Sequence, residues 1–224
     1  MTGQYILLEG AHHSPASDGG MCVNEAAIIA AGLKHRAVYT AGDCPKSFSR
    51  VIARYTIALN DAMSDALRQE LLMPFVMRIA GSADTKSVEA QRRDFITIQT
   101  VRRILPLACR EGFSRMGEPI ASFCQGVKTI EQARAGMRMM RYIAKVEFWT
   151  ALKRAAAFWA PVTGASVAWI CVYAFKDDDI LRRRVFEIAT EILDGALQIG
   201  NQAPARKMIK RAERIGAVMM KMAA

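Results

Sequence analysis

The sequence predicts an all-α protein, an irregular helical bundle with a small N-terminal helical unit. Three observations point there. Of the 224 residues, 52% are hydrophobic, with Ala, Leu, Ile and Met prominent alongside Arg, a helix-forming composition. Long alternations of β-branched residues are missing, and the 15 glycines fall mostly between apolar-periodic stretches. The length suffices for one large domain or two small ones.

Taken in order, Gln4–Gly10 reads as a short edge strand or buried lead-in, and the Ser, Pro, Asp and Gly content of residues 12–20 reads as a loop. A first helix is expected over Met21–Ala31, with Gly32 ending it in the left-handed conformation. Pro45 suits a first helical turn, and Phe48, Val51, Ile52, Tyr55 and Leu59 form one apolar stripe on a second helix that stops near Asn60-Asp61. Ser64-Asp65 opens a third helix, Pro74 breaks or kinks it, and Gly81 ends the unit. A boundary at residue 81 separates residues 1–81 from a basic bundle over 82–224, the two folding together as one cooperative body.

Beyond that boundary, a helix from Val88 is expected to turn Phe95, Ile98, Val101 and Leu105 inward and Arg92-Arg93 and Arg102-Arg103 outward, with a kink at Pro106. Thr129 and Gln132 make a capping box for the longest helix, which meets no proline before Pro161. A helix over 165–175 follows, then one capped by Asp177–Asp179 and closed by Gly200, and a last one from Pro204. Residues 155–175 carry no charge, but Pro161 and Gly164 read as a turn between two buried helices, so membrane insertion is not expected.

The net charge of +10 is unevenly distributed: residues 1–81 carry none, 82–145 carry +6, 146–176 carry +2, 177–200 carry −3 and 201–224 carry +5. An anionic partner should therefore meet the middle helices or the tail. The five cysteines, Cys22, Cys44, Cys109, Cys124 and Cys171, have no framework spacing, and no leader with a small-residue cleavage site opens the chain. A reducing cytoplasm is the expected compartment.

One constellation carries metal- or thiol-type chemistry. Cys22 and Glu25 share a face of the first helix, Cys44 sits at the start of the second, and His12 and His13 lie on the loop leading in. His12, Cys22, Glu25 and Cys44 would complete a tetrahedral zinc set, although no close-spaced Cys-x-x-Cys or His-x-x-x-His pair clamps an ion. The same residues read as a thiol with a histidine base, or as two buried cysteines with a satisfied glutamate.

Gly10, His12, Gly20-x-Cys22-x-x-Glu25-Ala26, Ala31-Gly32, Cys44-Pro45, Asn60-Asp61 and Ala80-Gly81 together resemble the N-terminal pattern of a family of helical proteins found in bacterial and bacteriophage genomes. The resemblance covers the first 81 residues. It implies a bacterial or phage source, selects His12 over His13 as the motif position, and brings no activity with it.

The second distinctive feature is cationic. Arg92, Arg93, Arg102, Arg103, Arg138 and Arg141 are candidates for a phosphate-binding surface together with Arg206, Lys207, Lys210, Arg211 and Arg214 of the tail. In that tail Met208, Ala212, Ile215, Met219 and Met222 repeat at four-three spacing, an apolar stripe suited to a protein partner or a second copy. Helix-turn-helix, zinc-finger and RNP-type patterns are absent, as are a phosphate loop, a Gly-x-Ser-x-Gly elbow and a His-Glu-x-x-His pair. The expectation is a binding protein of phage or prophage character, without catalysis or a cofactor. It would act through the basic surface and the Met-rich helix on a nucleic acid or protein, and the alternative is an activity at the His/Cys/Glu/Cys constellation.

Overall fold

The computed structural model describes residues 6–13, 20–112, 116–146, 168, 170–172 and 174–200, and these form an all-α bundle. The one sheet among them is small: β1 (Ile6–Leu7) pairs in parallel with β2 (Gly20–Met21). Helix α1 (Val23–Ala30) follows directly, with Cys22 as its N-cap and Glu25 closing a capping box. Gly32 adopts φ 70° just beyond it, a conformation a side chain would resist.

Helix α2 (Arg50–Ala62) begins about one turn later than expected, with Pro45 in the turn before it, because the Ser49 hydroxyl accepts the Ile52 N–H and defines the cap. The expected stripe is the buried one: Phe48, Ile52, Tyr55 and Leu59 are each 1% exposed or less. The next stretch is irregular. Helix α3 (Asp65–Leu67) passes into a π-turn at Arg68–Leu72 and a 3-10 turn at Met73–Phe75 around Pro74, then into α4 (Val76–Ile79). Proline cannot supply a backbone donor, which accounts for the break, and Gly81 at φ 71° ends the run.

Thr85 caps α5 (Lys86–Arg103) through the Val88 N–H. At Ile104 the chain turns into α6 (Leu105–Gly112), which packs on α7 (Gly117–Gln125), a pairing the sequence reading did not contain. The capping box at Thr129 and Gln132 forms as expected and starts α8 (Ile130–Val146). Asp178 caps α9 (Asp179–Gln198) by accepting the Leu181 N–H, and Gly200 at φ 93° follows its end. No helix among the described residues is long and apolar enough to cross a membrane. Most of residues 155–175, Trp149, Trp159 and Trp169, and the expected helix from Pro204 lie outside the described residues.

The buried apolar side chains form one cluster that runs through residue 81 without interruption. Polar links cross it too: Tyr55 donates to the Ala189 carbonyl at 3.1 Å, Ser49 donates to Glu89 at 2.8 Å, and Arg78 pairs with Asp194. Helix α9 therefore packs on both α2 and α5. It does so through Gly195, where an added Cβ would stand 2.6 Å from the Phe95 ring. Alanine for glycine inside an exposed helix is worth about 1 kcal/mol in favour of folding. Here overpacking reverses the sign: Gly195→Ala should lower stability by roughly 1–3 kcal/mol in urea unfolding, and Phe95→Leu in the same chain should restore part of it.

Candidate functional site

Four N–H groups converge on one carboxylate at the start of α1. Glu25 is fully buried; its Oε1 accepts from the backbone of His12 at 2.8 Å and of Val38 at 3.0 Å. Its Oε2 accepts from the backbone of Cys22 at 2.9 Å and from His12 Nδ1, also at 2.9 Å. A buried carboxylate is tolerated only when its oxygens are satisfied, and two donors on each oxygen achieve this. The bond to Glu25 makes Nδ1 the protonated ring nitrogen of His12.

Around this carboxylate the other motif residues act on backbone. Asn60 accepts the Val23 N–H at 3.1 Å and donates to the Leu8 carbonyl at 2.8 Å, while Asp61 accepts the Gly10 N–H at 3.2 Å. Asn24, fully buried, donates to Thr56 at 3.0 Å and so ties α1 to α2. The pattern Gly10, His12, Cys22, Glu25, Asn60-Asp61 thus describes a knot of hydrogen bonds that holds the N-terminal lead-in, α1 and α2 together. Spacing within one helix pointed to Cys22 and Glu25; the roles of Val38, Asn60 and Asp61 gave no such signal.

His12 and Glu25 therefore meet, as the zinc or thiol reading required, but both thiols are set for another role. Burial and the neighbouring Glu25 charge push the Cys22 thiol far above the ordinary range. Burial pushes Cys44 up to about 11, against an opposing pull from Arg50. Cys44 does not sit at the start of the second helix as expected: it lies six residues before Arg50, and the first free N–H groups of α2 are taken by Ser49 and Glu89. Among the described residues no group of three or more His, Cys, Asp or Glu side chains is arranged to hold a metal ion.

The expected cationic surface divides. Arg92 is not on it: 2% exposed, its guanidinium donates to the carbonyls of Ser82 and Ile199 and to Glu89. The buried side of α5 is wider than expected: Val101 and, just beyond the helix, Leu105 are buried and Phe95 and Ile98 half-buried against the core, and Arg92, Ile96, Thr97 and Thr100 are buried as well. Arg103 is paired with Glu191, and Arg93 lies 3.6 Å from Asp94. Arg102 and Arg138 are exposed. The side chain of Arg141, the tail cations Arg206, Lys207, Lys210, Arg211 and Arg214, and the stripe Met208, Ala212, Ile215, Met219 and Met222 lie outside the described residues.

The clearest cationic face belongs to α8. Ala133, Met137 and Met140 are buried, so the opposite side faces solvent, and along it Arg134, Arg138 and Tyr142 follow at four-residue spacing. Tyr142 is 68% exposed and Met139 beside it 39%. Sequence reasoning named Arg138 alone, although the spacing was there to be read.

A small cleft of about 120 Å³ opens beside the Glu25 knot, lined by Gly10, Ala11, Cys22, Val38, Tyr39, Ile57 and Asp61. Tyr39 stands at 57% exposure, its hydroxyl 2.8 Å from His13 Nε2. Compared with family models, curated proteins and solved structures, the chain matches none of them.

Two measurements test this account. Glu25→Gln keeps one acceptor oxygen but turns an amide N–H₂ toward N–H donors; it should cost roughly 2–4 kcal/mol in chemical unfolding. Native protein at pH 8 should resist iodoacetamide at Cys22 and Cys44 for hours and react within minutes in denaturant, since both thiols stay protonated; rapid native labelling of either would restore the thiol reading.

Proposed function

We propose that the protein is a non-enzymatic binding protein whose α8 face takes a single-stranded nucleic acid. The observation that carries this reading is the row Arg134, Arg138 and Tyr142 with Met139 alongside, two cations and an exposed aromatic ring on one solvent-facing side. Guanidinium groups neutralise phosphates and release counterions, and an exposed ring offers a base a surface to stack on without reading its edge. Arg102 on α5 and Lys128 before α8 are exposed as well, and α5 packs on α8. The surplus of +6 over residues 82–145 is the long-range counterpart of this local pattern.

A protein partner is the second reading, favoured by Met139 and Tyr142, since Met, Tyr and Arg are enriched where interfaces are fully covered. The metal or thiol alternative draws less support, because Glu25 spends its four hydrogen bonds on the fold.

The two readings part on salt. Anisotropy of a labelled oligo-dT strand, titrated over a sodium chloride series, should give a log–log slope that shrinks by roughly 1.4 in Arg134→Gln/Arg138→Gln, two phosphate contacts at about 0.7 each. Tyr142→Ala should weaken binding by about 1–3 kcal/mol with the slope unchanged. An affinity that ignores both salt and the double substitution would leave the protein-partner reading standing instead.

A further inference from the structure

The cleft beside the Glu25 knot has a chemistry of its own, independent of the α8 face. Its walls are apolar: Ala11, Val38 and Ile57, with the thiol of Cys22. Among the described residues Asp61 is the one carboxylate on its lining, exposed at the C-terminal end of α2. One Asp61 oxygen accepts the Gly10 N–H at 3.2 Å and the Asn60 amide at 3.4 Å. The other takes no hydrogen bond from the described residues, and no Lys, Arg or His among them pairs with this carboxylate.

Tyr39 forms the rim. Its ring packs against His13 at a centroid distance of 5.9 Å and its hydroxyl is bonded to the same imidazole, so the ring is held in place while staying 57% exposed. A tyrosine face attracts cations through its quadrupole. Behind Cys22 lies the Glu25 carboxylate, joined to it through the Cys22 N–H, so a second negative group backs the same wall. Gly10, at φ 78°, projects nothing into the space: a Cβ there would meet no atom within 4 Å.

From these features we infer that the cleft binds a small organic ammonium ion, with its apolar body against Ala11, Val38 and Ile57 and its charged head between Asp61 and the Tyr39 ring. The size fits such a ligand: about 120 Å³ equals the share of roughly four water molecules, enough for a short alkyl chain. An anion would meet Asp61 with Glu25 behind it and no cation to receive it. Although the whole chain carries +10, residues 1–81 carry no net charge, so the surplus lies elsewhere in the chain.

The test uses the full chain and n-butylammonium at pH 8. Amide ¹H–¹⁵N spectra should show saturable shifts at Gly10, Val38 and Tyr39. Asp61→Asn keeps the oxygen that accepts the Gly10 N–H and removes the charge; it should weaken binding about tenfold or more. Tyr39→Leu, at an exposed position, should weaken it about threefold, in the range of an exposed cation–π contact. The neutral isostere 1-butanol should bind at least about tenfold less tightly than the ammonium. Absence of saturable shifts, equal affinity in Asp61→Asn, or equal affinity for the alcohol would each overturn the assignment.

Discussion

A buried carboxylate, Glu25, is the constraint around which the N-terminal third is arranged. An ion removed from water is destabilising unless its lone pairs are met, and Glu25 meets them with N–H groups from three separate parts of the chain: the His12 loop, the Cys22 cap and Val38. Each of those segments thereby acquires a defined position. The α1 cap, the β1–β2 pairing and the loop that carries Tyr39 are set by the same atom pair. Asn60 extends the arrangement to α2 by bonding Val23 and Leu8, and Arg68 extends it further by donating to the Asn60 carbonyl at 2.7 Å. The cleft beside Tyr39 exists because these segments are held apart at fixed distances.

Arginine serves two purposes in this protein, and the division decides where a partner can bind. Arg68 and Arg92, each 2% exposed, spend their guanidinium groups on backbone carbonyls where the chain leaves regular helix. A planar, permanently charged donor fork can serve several carbonyls at once, which lysine cannot. Arg78, Arg103 and Arg183 hold α9 against neighbouring elements by pairing with Asp194, Glu191 and Glu70. These pairs are half-exposed, so their value is in orientation more than in energy. The net charge of +10 therefore overstates the cationic surface. On α8, by contrast, Arg134 and Arg138 are exposed on the same side as the exposed Tyr142.

The two surfaces proposed to take ligands are opposite in sign. The α8 face presents guanidinium groups, whereas the cleft at the end of α2 presents a carboxylate in an otherwise apolar setting. A uniform field would serve one of them at the expense of the other. Placing the carboxylate in a unit with no net charge, and the cations in a stretch carrying +6, lets both operate within one body.

Much of the fold was legible in linear order. Caps at Ser64, Thr129 and Asp178, stops at Gly32, Gly81 and Gly200, and the stripe from Phe48 to Leu59 depend on residues within a few positions of one another, and local stereochemistry is enough to specify them. The nearness of Cys22 and Glu25 was legible for the same reason. What Glu25 does was not, because three of its four donors come from residues 13 positions away and helical spacing is silent about them. The apolar stripe of α5 was legible, since Val101 and, just beyond the helix, Leu105 are buried and Phe95 and Ile98 pack half-buried on the core, but the burial of Arg92 was not, because the carbonyls of Ser82 and Ile199 that receive it lie 10 and 107 positions away. The sequence alone determined most of the helices, several of their ends and the total charge. Tertiary structure decided which polar groups face inward, because burying an ion depends on partners that only folding brings within reach.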